Sequence, residues 1–256
     1  MTPAALTIAG SDPSGGAGLQ ADLKTFHRFE VYGESVVTMI TVQNTVSVER
    51  VEILPVDLIL QQLDAVLRDI PPAAAKTGAL GNAAVVAAIA EAAKSFTFPL
   101  VVDPVMLSKT GAPLLDEEGV RALVELLFPR TFLLMPNLDE ASALVGFPVN
   151  DVPAMRKAAE ALAARGPQNV LIKGGHLRGE AVDILFHKGR IEEFASQRIS
   201  STQTHGTGCT YSAAITAELA KGNSLSDAVA RSKTFITRAI QWAPGLGRGT
   251  GPLNHF

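Results

Sequence analysis

The chain has 256 residues, within reach of one large α/β unit and long for an all-α bundle. Hydrophobic residues make up 47% and charged ones 18%, a globular balance with ample apolar surface for a core. A formal net charge of −3 without any Lys/Arg-rich block gives no sign of a nucleic-acid face, so an anionic ligand must be held by local devices.

The first apolar run, Leu6 to Ala9, has no basic segment before it and meets Gly10-Ser11-Asp12 directly, so no secretory leader is expected. Gly15-Gly16-Ala17-Gly18 then introduces a helix with Leu19, Leu23 and Phe26 on one face. A second run, Val36 to Val42, ends in Gln43-Asn44. The Ala-rich stretch from Thr77 to Ala90, bounded by Lys76 and Glu91, is too short to span a bilayer and reads as a buried helix, with Thr77-Gly78 closing a short strand. Leu100 to Val102 leads to Asp103-Pro104, Phe132 to Met135 to Pro136-Asn137, and Val170 to Ile172 to Lys173-Gly174-Gly175. Val182 to Phe186 and Ile191 to Ala195 flank His187-Lys188-Gly189-Arg190 as a hairpin. A last helix turns Leu225, Ala228, Val229, Ser232, Phe235, Ile236, Ala239 and Ile240 to one side. Runs without polar alternation suit strands covered on both faces. The pattern predicts an α/β fold over residues 1–256 as one domain, a mainly parallel central sheet with helices on both faces and a small antiparallel edge.

In such a sheet the residues after each strand collect along one edge, where ligands bind. Turns alone explain the glycines there; they explain less well a Lys, an Asp, a Gln and an Asn on the same edge. His205-Gly206-Thr207-Gly208-Cys209-Thr210 opens a helix, and glycines at a helix start let backbone N–H groups approach an anion. Lys173 can balance phosphate charge. Asn137 and Glu140, three apart at a helix start, form either a capping pair or oxygen ligands for a hard cation such as Mg²⁺, or both. Gly16, Gly18 and Ala21 fit G-x-G-x-x-A, but Gln43-Asn44 stands where a dinucleotide fold wants an acid for the ribose. No Gly-Lys dipeptide occurs, which excludes a Walker A loop. Cys209 is the only cysteine, which excludes an intramolecular disulfide and a multi-thiolate zinc site.

In order and spacing the whole chain resembles the ribokinase-like kinases, nearest to the pyrimidine kinases of thiamine synthesis. The resemblance rests on the opening from Leu6 to Asp22, on Val42-Gln43-Asn44-Thr45, Lys76-Thr77-Gly78 and Asp103-Pro104-Val105-Met106, and on Lys173-Gly174-Gly175-His176 and Thr204 to Thr210. It implies a ribokinase-like fold and two successive transfers from ATP, to 4-amino-5-hydroxymethyl-2-methylpyrimidine and then to its monophosphate. It implies that Gln43 bonds the aminopyrimidine edge while Gly10, Ala17, Ala79 and Val105 line the ring's pocket. Asn137, Lys173 and Thr207 would meet ATP, Glu140 and Asp103 would serve Mg²⁺, and Gly206, Thr207 and Gly208 would form an anion hole. Cys209, Gly206, Gly208 and Lys173 would be the catalytic set, in a cytoplasmic homodimer.

Two positions depart from the wider pattern. Ala79 stands where many pyrimidine kinases carry methionine, which widens the pocket floor. Cys209 stands where sugar kinases usually have an aspartate base. A thiolate at a helix N-terminus can have a lowered pKa and so act as a base. A neutral thiol, by contrast, would not repel a phosphate that is itself the nucleophile, as a carboxylate would; or the residue simply packs. Rival readings are a pyridoxal/pyridoxine kinase of the same superfamily, a non-catalytic sensor of the pyrimidine, and a dinucleotide oxidoreductase.

Overall fold

The computed structural model describes residues 2–107, 111, 113–175, 177 and 179–256. His176 of the fifth motif lies outside them.

The first strand, β1 (Ala4–Ser11), is apolar throughout except for Thr7 and Ser11, and is buried over almost its whole length. It pairs in parallel with β2 (Tyr32–Gln43) on one side and β4 (Ala74–Thr77) on the other. From β4 the sheet continues in parallel through β5 (Leu100–Val102), β6 (Leu133–Leu134) and β7 (Asn169–Ile172). Among the described residues the sheet has nine strands, in the order β3-β2-β1-β4-β5-β6-β7-β8-β9, with β3 (Val48–Ile53) at one edge and β8 (Ala181–His187) and β9 (Arg190–Ser196) at the other. Strand order therefore reverses at β1, which puts a crevice outside the carboxyl ends of β1 and β4.

The expected hairpin is present as β8 (Ala181–His187) and β9 (Arg190–Ser196), antiparallel to each other and to β7. An antiparallel strand that the sequence reading did not contain, β3 (Val48–Ile53), pairs with β2 at the opposite edge. Its Glu49, Arg50 and Glu52 break the apolar pattern, and charge is what an edge strand carries to discourage further pairing.

Helices cover both faces. On one lie α2 (Val56–Asp69), α3 (Ala83–Ala92), α4 (Glu117–Ala122), α5 (Leu138–Val145) and α6 (Val152–Ala163), around a core with Leu6, Ile8, Ile59, Val86, Phe128 and Leu162. On the other lie α1 (Gly18–Arg28), α7 (Thr207–Ala220) and α8 (Leu225–Gln241), around Ala5, Phe26, Leu133, Ile215 and Val229. The Ala-rich helix begins later than its composition suggests. Thr77 belongs to β4, and α3 starts at Ala83 because the Asn82 side chain caps the Val85 amide.

Candidate active site

A cavity of about 1050 Å³ opens along the carboxyl edge of the sheet. Gly10, Ala17, Gln43, Ala79, Asp103, Val105, Asn137, Glu140, Lys173, Gly206, Thr207, Gly208 and Cys209 all line it, so every residue predicted for the site reaches one space.

At its centre Lys173, at the end of β7, donates to Asp103 Oδ1 at 2.7 Å across the end of β5. Burial opposes the ammonium charge, yet Asp103 and Glu140 together raise its pKa above that of an ordinary lysine. Glu140 is buried, and desolvation raises its pKa although Lys173 pulls the other way. The capping pair is real: Asn137 Oδ1 accepts from the Glu140 amide at 2.9 Å, and Glu140 Oε2 from the Asn137 amide at 2.8 Å. A lone pair on each carboxylate remains for a cation. Two carboxylates, Asp103 and Glu140, line the same cavity, and oxygen donors of this kind suit a hard cation that shares its coordination with phosphate oxygens and water, as Mg²⁺ does.

Above this pair sits the start of α7. Gly206 has φ of +77°, a conformation strained for any side chain, and a Cβ there would fall 1.8 Å from the Gly16 carbonyl oxygen. The turn is thus locked against the Gly15-Gly16 loop. The Gly208 and Cys209 amides carry no hydrogen bond to the described residues and point out of the first helical turn, a ready anion site. A Cβ on Gly208 would lie 3.2 Å from Asp103 Oδ2 and 3.5 Å from Lys173 Nζ. Ammonium, carboxylates and amide turn face one another across a gap of atomic dimensions.

The Cys209 thiol departs from one expectation. Its place at a helix N-terminus does not lower its pKa; burial, with Asp22 and Asp103 nearby, pushes it up to about 11. The Gly18 amide supports the sulfur, but the group stays a thiol at neutral pH.

Several structural partners escaped the sequence reading. Asp12 organises the glycine loop: its carboxylate accepts from the Ser14 and Ala17 amides, both at 2.9 Å, and from His205 Nε2 at 2.7 Å. Burial opposes its ionisation, but the bonds from His205 and Ser14 hold the carboxyl below the usual range. Gln43 Nε2 lies 3.3 Å from the same His205 nitrogen. A nitrogen whose hydrogen faces Asp12 has no lone pair to offer. The Gln43 amide oxygen therefore belongs on the His205 side, leaving its NH₂ for the cavity.

Asp183 ties the other end together, accepting from the Gly174 amide at 2.8 Å, Tyr211 at 3.0 Å and Lys233 at 2.7 Å. It thereby fixes the turn beside Lys173 to α7 and α8. Arg198 gathers the carbonyls of Gly175, Leu177 and Gly179. Ile199, Ile236 and Ile240 add apolar side chains to the lining of the same cavity. Beneath it, Lys76 and Asp22 form a wholly buried pair at 2.7 Å, with Thr7 also donating to Asp22. A lysine in an apolar strand gives no sequence sign of its partner on α1.

Comparison with known proteins agrees with this geometry. A family model described as phosphomethylpyrimidine kinase matches residues 12–254. The hydroxymethylpyrimidine/phosphomethylpyrimidine kinase of Bacillus subtilis is 44% identical over 98% of this chain and 94% of its own. The thiamine biosynthesis bifunctional protein ThiED of Geobacter sulfurreducens is 49% identical over 98% of this chain, which spans 52% of that relative. Among solved structures, the ADP complex of Bacillus subtilis pyridoxal kinase superposes with a TM-score of 0.92 at 40% identity, covering 100% of this chain and 98% of the other.

Proposed function

The chain belongs to the phosphomethylpyrimidine kinase family, and we propose that it transfers phosphoryl groups from ATP to 4-amino-5-hydroxymethyl-2-methylpyrimidine and then to the resulting monophosphate, in thiamine biosynthesis. The observation that carries this reading is the meeting of Lys173, Asp103, Glu140 and the Gly206–Gly208 turn in one cavity.

Strand order divides the labour. Gly10, Gln43 and Ala79 belong to the ends of β1, β2 and β4, with Ala17 and Val105 beside them, and these would enclose the ring. Asn137, Lys173 and Thr207 follow β6 and β7 or open α7, and would take the triphosphate. The nucleotide's base would extend towards Ile199, Ile236 and Ile240. The two halves meet at Asp103, Gly208 and Cys209, where the transferred group would pass.

Phosphoryl transfer has a loose transition state, so positioning and charge neutralisation carry most of the catalysis. Lys173 and the Gly208 and Cys209 amides supply fixed positive poles for the charge on the transferring group. Mg²⁺, held by Asp103 and Glu140 directly or through water, would neutralise charge on the ATP phosphates. Cys209 acts as a neutral wall. It has too high a pKa to be the base at pH 7, and its lack of charge admits a phosphate nucleophile as readily as an alcohol. A cytoplasmic homodimer is part of the same reading; the exposed Ile40, Val42 and Val46 of the β2–β3 region support the dimer.

Steady-state kinetics with the pyrimidine, its monophosphate and pyridoxine test the proposal. Turnover of the first two well above pyridoxine is expected; a preference for pyridoxine would overturn it in favour of a pyridoxal-type kinase. Cys209→Asp should slow the second transfer more than the first, and equal effects on both would remove the neutral-wall role.

A further inference from the structure

The floor of the ring subsite contains a side chain outside the predicted set. Between β1 and β2 the register slips: Ala9 faces Val37, but Ser11 faces Ile40, so β2 holds one extra residue there. A bulge of this kind re-aims a side chain. Here it sets Met39 against Gly10, where a Cβ would strike Met39 Cγ at 2.6 Å. The thioether crosses β1 over the bare glycine and reaches the turn after β4, its Cε 3.0 Å from where a Cβ on Gly81 would be. Ala79 lies along that path, its carbonyl held by Thr38 Oγ1 at 2.7 Å. Met39 is 1% exposed, yet it lines the cavity together with Gly10 and Ala79.

We propose that Met39, turned inward by the bulge, forms the floor of the ring subsite and sets how large a heteroaromatic ring the site accepts. It fills from β2 the space that the small Ala79 leaves open. Gly10 is required because any side chain there would block the crossing. The inference rests on the functional reading above, since it takes Gly10, Ala79 and Gln43 to surround the ring.

The test is a cycle of four proteins: wild type, Met39→Ala, Ala79→Met and the double variant, assayed with hydroxymethylpyrimidine and with the bulkier pyridoxine. Met39→Ala should raise the pyrimidine KM about tenfold with little change in kcat, and move the specificity ratio towards pyridoxine by a similar factor. Ala79→Met should also raise KM, because two thioethers then compete for one volume. The double variant should return KM to within about threefold of wild type, the compensation expected of two side chains that share one volume. An unchanged KM in Met39→Ala, or two effects that simply multiply, overturns the inference. Wild-type failure on the pyrimidine would refute the functional reading instead. The floor would then be judged by thermal unfolding of the same four proteins without substrate: coupled shifts support shared volume and additive shifts refute it.

Discussion

Replacing Gly208 by alanine separates the site's chemistry from its stability. The backbone of Gly208 lies outside the positive-φ region, and no neighbouring backbone atom blocks a Cβ. Alanine is the better helix former by up to about 1 kcal/mol, which offsets a tight 3.2 Å contact with Asp103 Oδ2, so the variant should melt within a few degrees of wild type (roughly 2–4 °C per kcal/mol at this size). The new methyl, however, would sit 3.5 Å from Lys173 Nζ and 3.2 Å from Asp103 Oδ2. A phosphoryl oxygen bonding Lys173 needs to approach to about 2.8 Å and would compete for that volume. Losing one such donor contact costs about 10²–10³ in kcat, or roughly 3–4 kcal/mol of transition-state stabilisation. Coupled ADP-release kinetics alongside differential scanning fluorimetry measure both quantities. Full activity at unchanged stability would refute the assignment of this gap to the transferring group. Gly206→Ala should behave oppositely and lower stability outright, because its Cβ meets the Gly16 carbonyl and its φ is positive.

Lys173→Met should lower kcat by about 10²–10³ while the protein still folds, as read by activity and circular dichroism. Lys76→Met should destabilise by about 3–5 kcal/mol in urea melts, because it leaves the Asp22 carboxyl, whose pKa burial already raises, without its counter-charge in a dry interior; Lys76→Met/Asp22→Leu should recover most of that loss. Glu34 is buried with Oε2 unpartnered among the described residues, and desolvation, with Asp69 nearby, raises its pKa from 4.5 to about 7. The folded state therefore prefers the protonated acid; this contribution is complete below about pH 4.5 and is lost as pH rises through about 7. Glu34→Gln should then match wild type near pH 4.5 and exceed it at pH 8 by about 1 kcal/mol once solvent screening is allowed for, measured as denaturation midpoints against pH.

The central strands and their polar ends were legible because parallel strands covered on both faces read as unbroken apolar runs, and the residue after each run stands at the ligand edge. Lys173, Asp103, Asn137 and Gln43 are expected at that edge on this ground, and all four line the cavity there. What sequence could not show were partners set by three-dimensional register. Lys76 looked like the boundary of an Ala-rich segment, yet it is wholly buried against Asp22 on α1. Asp183, inside an apolar run, anchors three elements through Gly174, Tyr211 and Lys233. Met39 enters the cavity through a bulge, which no periodicity announces. The Cys209 thiol illustrates a contest of magnitudes: the helix terminus alone favours a thiolate, but desolvation and two nearby carboxylates outweigh it.

The most direct measurement is mass analysis of the products after incubation with ATP, Mg²⁺ and 4-amino-5-hydroxymethyl-2-methylpyrimidine. Successive appearance of the monophosphate and the diphosphate, both lost in Lys173→Met, is the predicted result. A pyrimidine recovered unmodified under conditions where the protein is folded and binds ATP would contradict the account.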